Sequence, residues 1–283
     1  MAHLKTSLLL GMLSLVALCG MAQDGQPVRT FYDTRVVNGH STELVDEGSM
    51  KFIIAHRFGR INTGAYELFG LDNATMRMGL DYGVTKWLNI GIGRSSFEKT
   101  VDGYLKARLL RQMEGDNSKP VSVVYFAGIA ANGLRFQNPE RNDDFSSRLA
   151  YTHQLLVSRR FGDRLSAQVM PTLVHRNLVP DSTFNNDVLA VGVAGRYVLS
   201  KRVTLSAEYY YALPDQIPET FNNTLSVGIE LETKAHVFQF HLSNSRGMTE
   251  KFFVSETTGD WSAGDIHLGF NITRDFKVKG RKY

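Results

Sequence analysis

This sequence predicts an all-β fold, a transmembrane antiparallel up-and-down β-barrel of about twelve strands, and three observations carry the prediction. The first is a period of two. Leu225, Val227, Ile229 and Leu231 alternate with Ser226, Gly228, Glu230 and Glu232, and His236, Phe238, Phe240 and Leu242 alternate with Val237, Gln239, His241 and Ser243. A two-residue period places alternate side chains on opposite faces of a strand. The second is an export leader with no later apolar run long enough for a membrane helix. The third is a sorting of the connections between strands into short and long.

Residues 1–22 read as a signal peptide: Lys5, the apolar run Leu8 to Leu18, and Gly20-Met21-Ala22 ahead of Gln23. That run falls short of the roughly 20 residues a spanning helix needs. Cys19 raises the alternative of a lipid-modified cysteine, but Leu18 stands where a small residue is expected. Cleavage after Ala22 would discard the sole cysteine and with it all disulfide and thiolate chemistry. It would also remove Lys5 and no acidic residue, taking the formal charge from +4 to +3. An excess that small and dispersed is no nucleic-acid footprint. An exported chain of alternating strands can span a bilayer only as a closed barrel, which leaves no unpaired edge in lipid.

Residues 23–48 hold no sustained period and read as a periplasmic N-terminal segment, under or inside the barrel. The barrel is expected over residues 49–276, and a basic periplasmic tail over 277–283. Its strands fall near 49–58, 73–84, 88–94, 100–112, 121–131, 148–160, 165–176, 187–199, 203–212, 225–232, 236–243 and 264–276. Residues 121–131 are apolar on both sides, which leaves their facing open. Pro171 lies inside the strand 165–176 and cannot donate to a ladder, so a bulge is expected there.

Connections are long after the first, fifth, seventh, ninth and eleventh strands and short after the second, sixth, eighth and tenth. Outer-membrane barrels have short periplasmic turns and longer outer loops. A soluble sandwich would space its strands similarly, but nothing would sort its loops by length or set Phe161, Tyr197 and Tyr209 near strand ends.

His56-Arg-Phe-Gly59, Phe69-Gly-Leu-Asp72, Gly91-Ile-Gly-Arg-Ser-Ser96, Leu105-Lys-Ala-Arg-Leu-Leu-Arg-Gln112 and the stretch Asp265 to Phe276 resemble a family of uncharacterised outer-membrane β-barrels of Gram-negative bacteria, a domain of unknown function. The resemblance covers nearly all of the mature chain. It implies fold and location in the outer membrane, and no catalytic residues.

His241 and Ser243, two apart on a strand, could act as base and nucleophile, and the segment is similar to the His-x-Ser-Asn of outer-membrane phospholipases. The alternation turns both inward, away from lipid, and Leu242 and Ser245 replace the neighbours that class carries. Gly91-Ile-Gly93 precedes no helix and is not a phosphate loop. The histidines show no ligand spacing, so no metal site and no cofactor is expected. The inward faces collect Lys51, Arg57, Arg77, Lys106, Arg108, Arg160 and Arg196 against Asp81, Glu208 and Glu230, with Gln168, Gln239 and His241 between. The residues singled out as lumen-lining are Arg77, Lys106, Arg108, Arg196, Glu208, Glu230, Gln239 and His241. They either pair into a plug or line water, where excess positive charge favours anions. The functional expectation is a monomeric barrel, in contact with outer-membrane lipid, acting as a small channel for polar or anionic solutes. The alternatives are a plugged structural barrel making surface contacts through loops 132–147 and 244–263, and a phospholipase-like hydrolase.

Overall fold

Alternation of apolar and polar residues over eight to thirteen positions leaves the chain one economical structure, a sheet closed on itself. The computed structural model describes residues 25–115, 118–135, 144–233 and 236–278. The expected leader 1–22, the end of the expected basic tail and residues 136–143 of a predicted contact loop lie outside these. Twelve strands close into an antiparallel barrel: β2 (Ser49–Arg60), β3 (Ala74–Gly83), β4 (Leu88–Ser95), β5 (Val101–Leu110), β7 (Ser122–Ala131), β8 (Leu149–Phe161), β9 (Leu165–Arg176), β10 (Asp187–Val198), β11 (Val203–Ala212), β12 (Thr224–Glu232), β13 (His236–Ser243) and β14 (His267–Lys277). β14 pairs with β2 and completes the ring. Two short strands, β1 (Gln26–Pro27) and β6 (Met113–Glu114), pair outside it. One helix, α1 (Glu250–Ser255), lies in the connection from β13 to β14.

Pro171 causes no bulge. It points outward, is exposed, and the β8–β9 register continues unshifted on either side, from Gln154↔Thr172 to Val157↔Val169. Only a donor is missing at that rung, and the flanking rungs hold the register. Register shifts occur elsewhere, opposite His267 to Gly269 of β14, where β2 carries the extra residue, and between Arg108 and Leu110 on β5.

The outward face is an apolar belt. Met78, Ile90, Ile92, Leu105, Val169, Leu189, Val193 and Ile229 are all exposed, as a lipid-facing wall requires. Ile92, 64 % exposed in the middle of β4, is the sharpest test of that wall. Ile92→Arg is expected to destabilise the barrel by about 2–4 kcal/mol, read as a lower urea midpoint for folding into lipid vesicles; an unchanged midpoint would remove Ile92 from the lipid face.

Inside, the wall has two characters. β7 to β10 turn Val124, Phe126, Leu156, Met170, Val174, Val188, Ala190 and Ala194 inward as an apolar cluster. This settles the ambiguous strand: Val124 and Phe126 face in and Tyr125 faces out. The remaining strands turn inward Lys51, Arg57, Arg77, Asp81, Asp102, Lys106, Glu208, Glu230, Gln239 and Asn271.

Candidate functional site

What fills the barrel is its own chain. Residues 28–45 run inside the ring, where Val28, Phe31, Val36, Val37 and Val45 are buried. Their centre is a tight hairpin: Arg35 and His40 bridge, Val36 N–H donates to Gly39 O (2.8 Å), and Ser41 N–H donates to Thr34 O (3.0 Å). A hairpin tip has backbone donors and acceptors with no intrastrand partners, so the surroundings must satisfy them.

The wall does so residue by residue. The Glu208 carboxylate accepts the amides of Val37 (3.1 Å), Asn38 (2.7 Å) and Gly39 (3.0 Å). Gln239 donates to Val36 O, Asn271 to Val37 O (2.9 Å), and Gln168 to His40 O (2.7 Å). Lys106 reaches Thr34 O (3.3 Å) and Glu43 O (2.6 Å). Arg196 donates to Thr30 O (3.0 Å) and lies over the Tyr32 ring at 3.7 Å. Arg57 donates to the Asn38 side chain (2.7 Å), Thr42 and Ser158 hydroxyls meet at 2.5 Å, and Lys51 pairs with Asp33 at 2.7 Å. Burial would raise the Asp33 pKa, but Lys51 and the hydrogen bonds from Lys51 and Thr273 outweigh it and hold the carboxyl below its usual value.

Apolar packing seats the same segment. Phe31, Val36 and Val37 join the inward cluster of β7 to β10. Gly39 lies so close to Tyr210 that an added Cβ would stand 2.0 Å from the phenol oxygen. Gly39→Ala therefore cannot seat the hairpin as it stands. Its expected effect is faster protease cleavage within residues 28–45 while heat-modifiable gel migration still reports a closed barrel; equal cleavage of parent and variant would show that the contact yields.

A second segment closes the other end. In the connection 244–266, Phe252, Phe253 and Val254 are buried, Phe253 packs on Tyr210 (5.0 Å between centroids), and Thr224 donates to Phe253 O (2.6 Å). Arg176 pairs with Glu256 (3.1 Å) and Lys251 with Glu98 (3.3 Å). Much of the loop read from sequence as a surface contact is thus folded into the mouth. The two fillings meet where His40 Nε2 faces Glu250 Oε1 at 3.5 Å, and neither atom has a hydrogen-bond partner. Burial pushes His40 well below its ordinary value and Glu250 above its own, so burial disfavours the charged form of both groups at this contact.

Of the residues singled out from sequence, Lys106, Arg196, Glu208 and Gln239 all contact the inner segment. Glu230 accepts from Gln239 (3.0 Å). Arg77 grips Asp102 with two bonds, one of them from Nε at 2.9 Å. Gly91 and Gly93 leave room for the Tyr104 ring and the Arg77 guanidinium, since a Cβ would come within 2.2 Å of either. Arg108 sits at the short-turn mouth, donates to Lys86 O (3.2 Å), and with Lys51, Glu43 and Asp46 lines a cavity of about 570 Å³ there. Arg160 belongs to the rim instead, donating to Gly162 O (2.8 Å) and Asp163 (3.3 Å) at the β8–β9 turn. It is within two residues of the strand end, so its side chain reaches the turn more easily than the interior.

His241 is buried and neither ring nitrogen has a partner; Ser243 bonds instead with Ser226 (2.9 Å) and accepts from Ser245 N–H (3.1 Å). The pair makes no base-to-nucleophile hydrogen bond. Among the described residues no group of three or more His, Cys, Asp or Glu side chains could hold a metal ion. The hairpin itself was missed from sequence. Asn38-Gly39 is its one sequence signal, a turn dipeptide with no strand pattern on either side.

Residues 31–276 match a family model described as a membrane bound beta barrel domain. No curated protein matches. Among solved structures, the NanC porin is similar at TM-score 0.49 and 9 % identity, covering 81 % of this chain and 99 % of its own. The KdgM porin gives 0.46 and 9 %, covering 81 % and 98 %. Outer membrane phospholipase A from Escherichia coli gives 0.45 and 12 %, covering 92 % and 96 %.

Proposed function

The chain belongs to the family described as membrane bound beta barrel domain (DUF5777), and from that premise we propose that it is an outer-membrane barrel held shut by its own chain. The short turns face the periplasm, residues 28–45 fill the interior from that side, and the connection 244–266 fills it from outside. One observation carries this reading: Arg57, Arg77 and Lys106, three inward cations of the barrel wall, are each only 1–2 % exposed. A water-filled lumen would leave such side chains wet. The sequence left pore and plug evenly balanced, and the grip on residues 28–45 favours the plug. The refolded full-length protein, shown closed by heat-modifiable migration, is expected to give no discrete conductance steps in a planar bilayer. Regular salt-dependent steps from the parent protein would sink the proposal.

Surface contact is a second role that loop 61–73 favours. Tyr66 is 96 % exposed and Leu68 and Phe69 each 56 %. The last two take left-handed φ values of 44° and 53°, a conformation unfavourable for large side chains. Apolar groups held outward at a conformational cost suit a contact. Phe69→Ser is expected to weaken adhesion of the protein to an apolar bead surface, and unaltered adhesion would count against the loop.

A further inference from the structure

The grip on residues 28–45 is made of contacts that another ligand can replace. The wall meets this segment largely with donors: Lys106, Arg196, Arg57, Gln168, Gln239 and Asn271 all point at its oxygens. The main acceptor is Glu208, which takes three amides, and Ser226 accepts from the Asn38 side-chain amide (2.9 Å). Arg77 with Asp102 and Glu230 with Gln239 are matched within the wall. If the segment withdraws, the inward cations that lose a partner are Arg57, Lys106 and Arg196, while Lys51 keeps Asp275 (3.0 Å). The carboxylates that lose one are Glu208 and, nearer the two mouths, Glu232, which leaves Arg29 (3.7 Å), and Glu250, which leaves His40 (3.5 Å). Among the described residues, neither Arg57, Lys106 nor Arg196 forms an ion pair with a wall carboxylate. A permanently filled barrel has no need of inward cations without an ion-pair partner in the wall, since apolar or self-matched residues fill space at lower desolvation cost.

Room for withdrawal exists. The cavity of about 570 Å³ at the short-turn mouth is bordered by Arg29, Tyr32, Asp33 and residues 43–47. Outside the ring, the segment is tied by the two-residue pairing of β1 with β6 and by Val28 N–H to Gln112 O (3.0 Å).

We propose that residues 28–45 are a displaceable gate, and that the path behind it takes anionic, oxygen-rich solutes, which Arg57, Lys106 and Arg196 would hold as they now hold the oxygens of the segment. This rests on the sealed-barrel reading above. A solute carboxylate would accept charge-assisted hydrogen bonds, stronger than those to neutral carbonyls.

The test uses the full chain with a redox-controlled lock. The sole cysteine of the sequence is Cys19, in the expected leader. Thr42→Cys and Ser158→Cys, at positions whose hydroxyls meet at 2.5 Å, form the lock, and Glu208→Ala loosens the hairpin. Bilayer recordings in a potassium chloride gradient then compare oxidised with reduced protein. The expected result is silence when oxidised and discrete steps when reduced, with a reversal potential on the anion side that Arg196→Glu moves toward cations. Silence in both states from a folded barrel would overturn the gate and leave the sealed barrel standing. Steps that persist when oxidised would overturn the gate, and steps from the unsubstituted parent would overturn the sealed barrel itself. Cation preference, or indifference to Arg196→Glu, would overturn the solute class. Should Glu208→Ala fail to fold, Gly39→Ala, which acts on the segment and leaves the wall intact, takes its place with the same outcomes.

Discussion

Arg77→Ala is expected to cost the barrel about 3–5 kcal/mol, the loss that follows when one member of a buried ion pair is removed and the other remains. Arg77 on β3 and Asp102 on β5 are 2 % and 9 % exposed, and the guanidinium meets both carboxylate oxygens. At that depth the abandoned carboxylate is far less well solvated than in bulk water. The double variant Arg77→Met with Asp102→Leu should recover most of the loss, because a buried pair contributes little net stability beyond an apolar pair of similar size. Urea midpoints for folding into lipid vesicles separate the cases. A single variant within about 1 kcal/mol of the parent would mean that the pair is solvated and the interior wet.

Glu208→Ala should release the hairpin tip while the ring stays closed. Three amides lose one carboxylate, and hydrogen bonds to charged groups contribute about 1.5–3 kcal/mol each, less than additively when they share an acceptor. A net loss of about 3 kcal/mol corresponds to faster exchange of the Val37, Asn38 and Gly39 amides by on the order of 100-fold. Hydrogen exchange measured by mass spectrometry on the folded barrel reads this directly. Glu208→Gln keeps one acceptor and should fall between. Unchanged protection at residues 37–39, with the ring intact, would show that apolar seating by Phe31, Val36 and Val37 alone holds the segment.

The strands were legible because their signal is local. The predicted 165–176, 203–212 and 236–243 coincide with β9, β11 and β13, since each alternation sits wholly inside one strand and needs no partner to be read. Pro171 misled because the lost donor is a local fact while the register that absorbs it belongs to neighbouring strands. Val124 and Phe126 could not be faced from sequence, as both sides of β7 are apolar and only ring closure decides which turns inward.

The interior was legible as a list and not as an arrangement. The period of two turns Lys106, Arg196, Glu208 and Gln239 to the face that is buried in the structure, but their partners lie far along the chain. Glu208 meets Val37 across 171 positions, and Gln239 meets Val36 across 203. Period and loop lengths determined by themselves that this chain makes a closed barrel with charged residues inside, because those features depend only on neighbours in sequence. Whether the charges line water or grip the chain was decided by the tertiary structure alone, since residues 28–45 carry no pattern of their own and acquire a conformation only from the wall that satisfies their backbone.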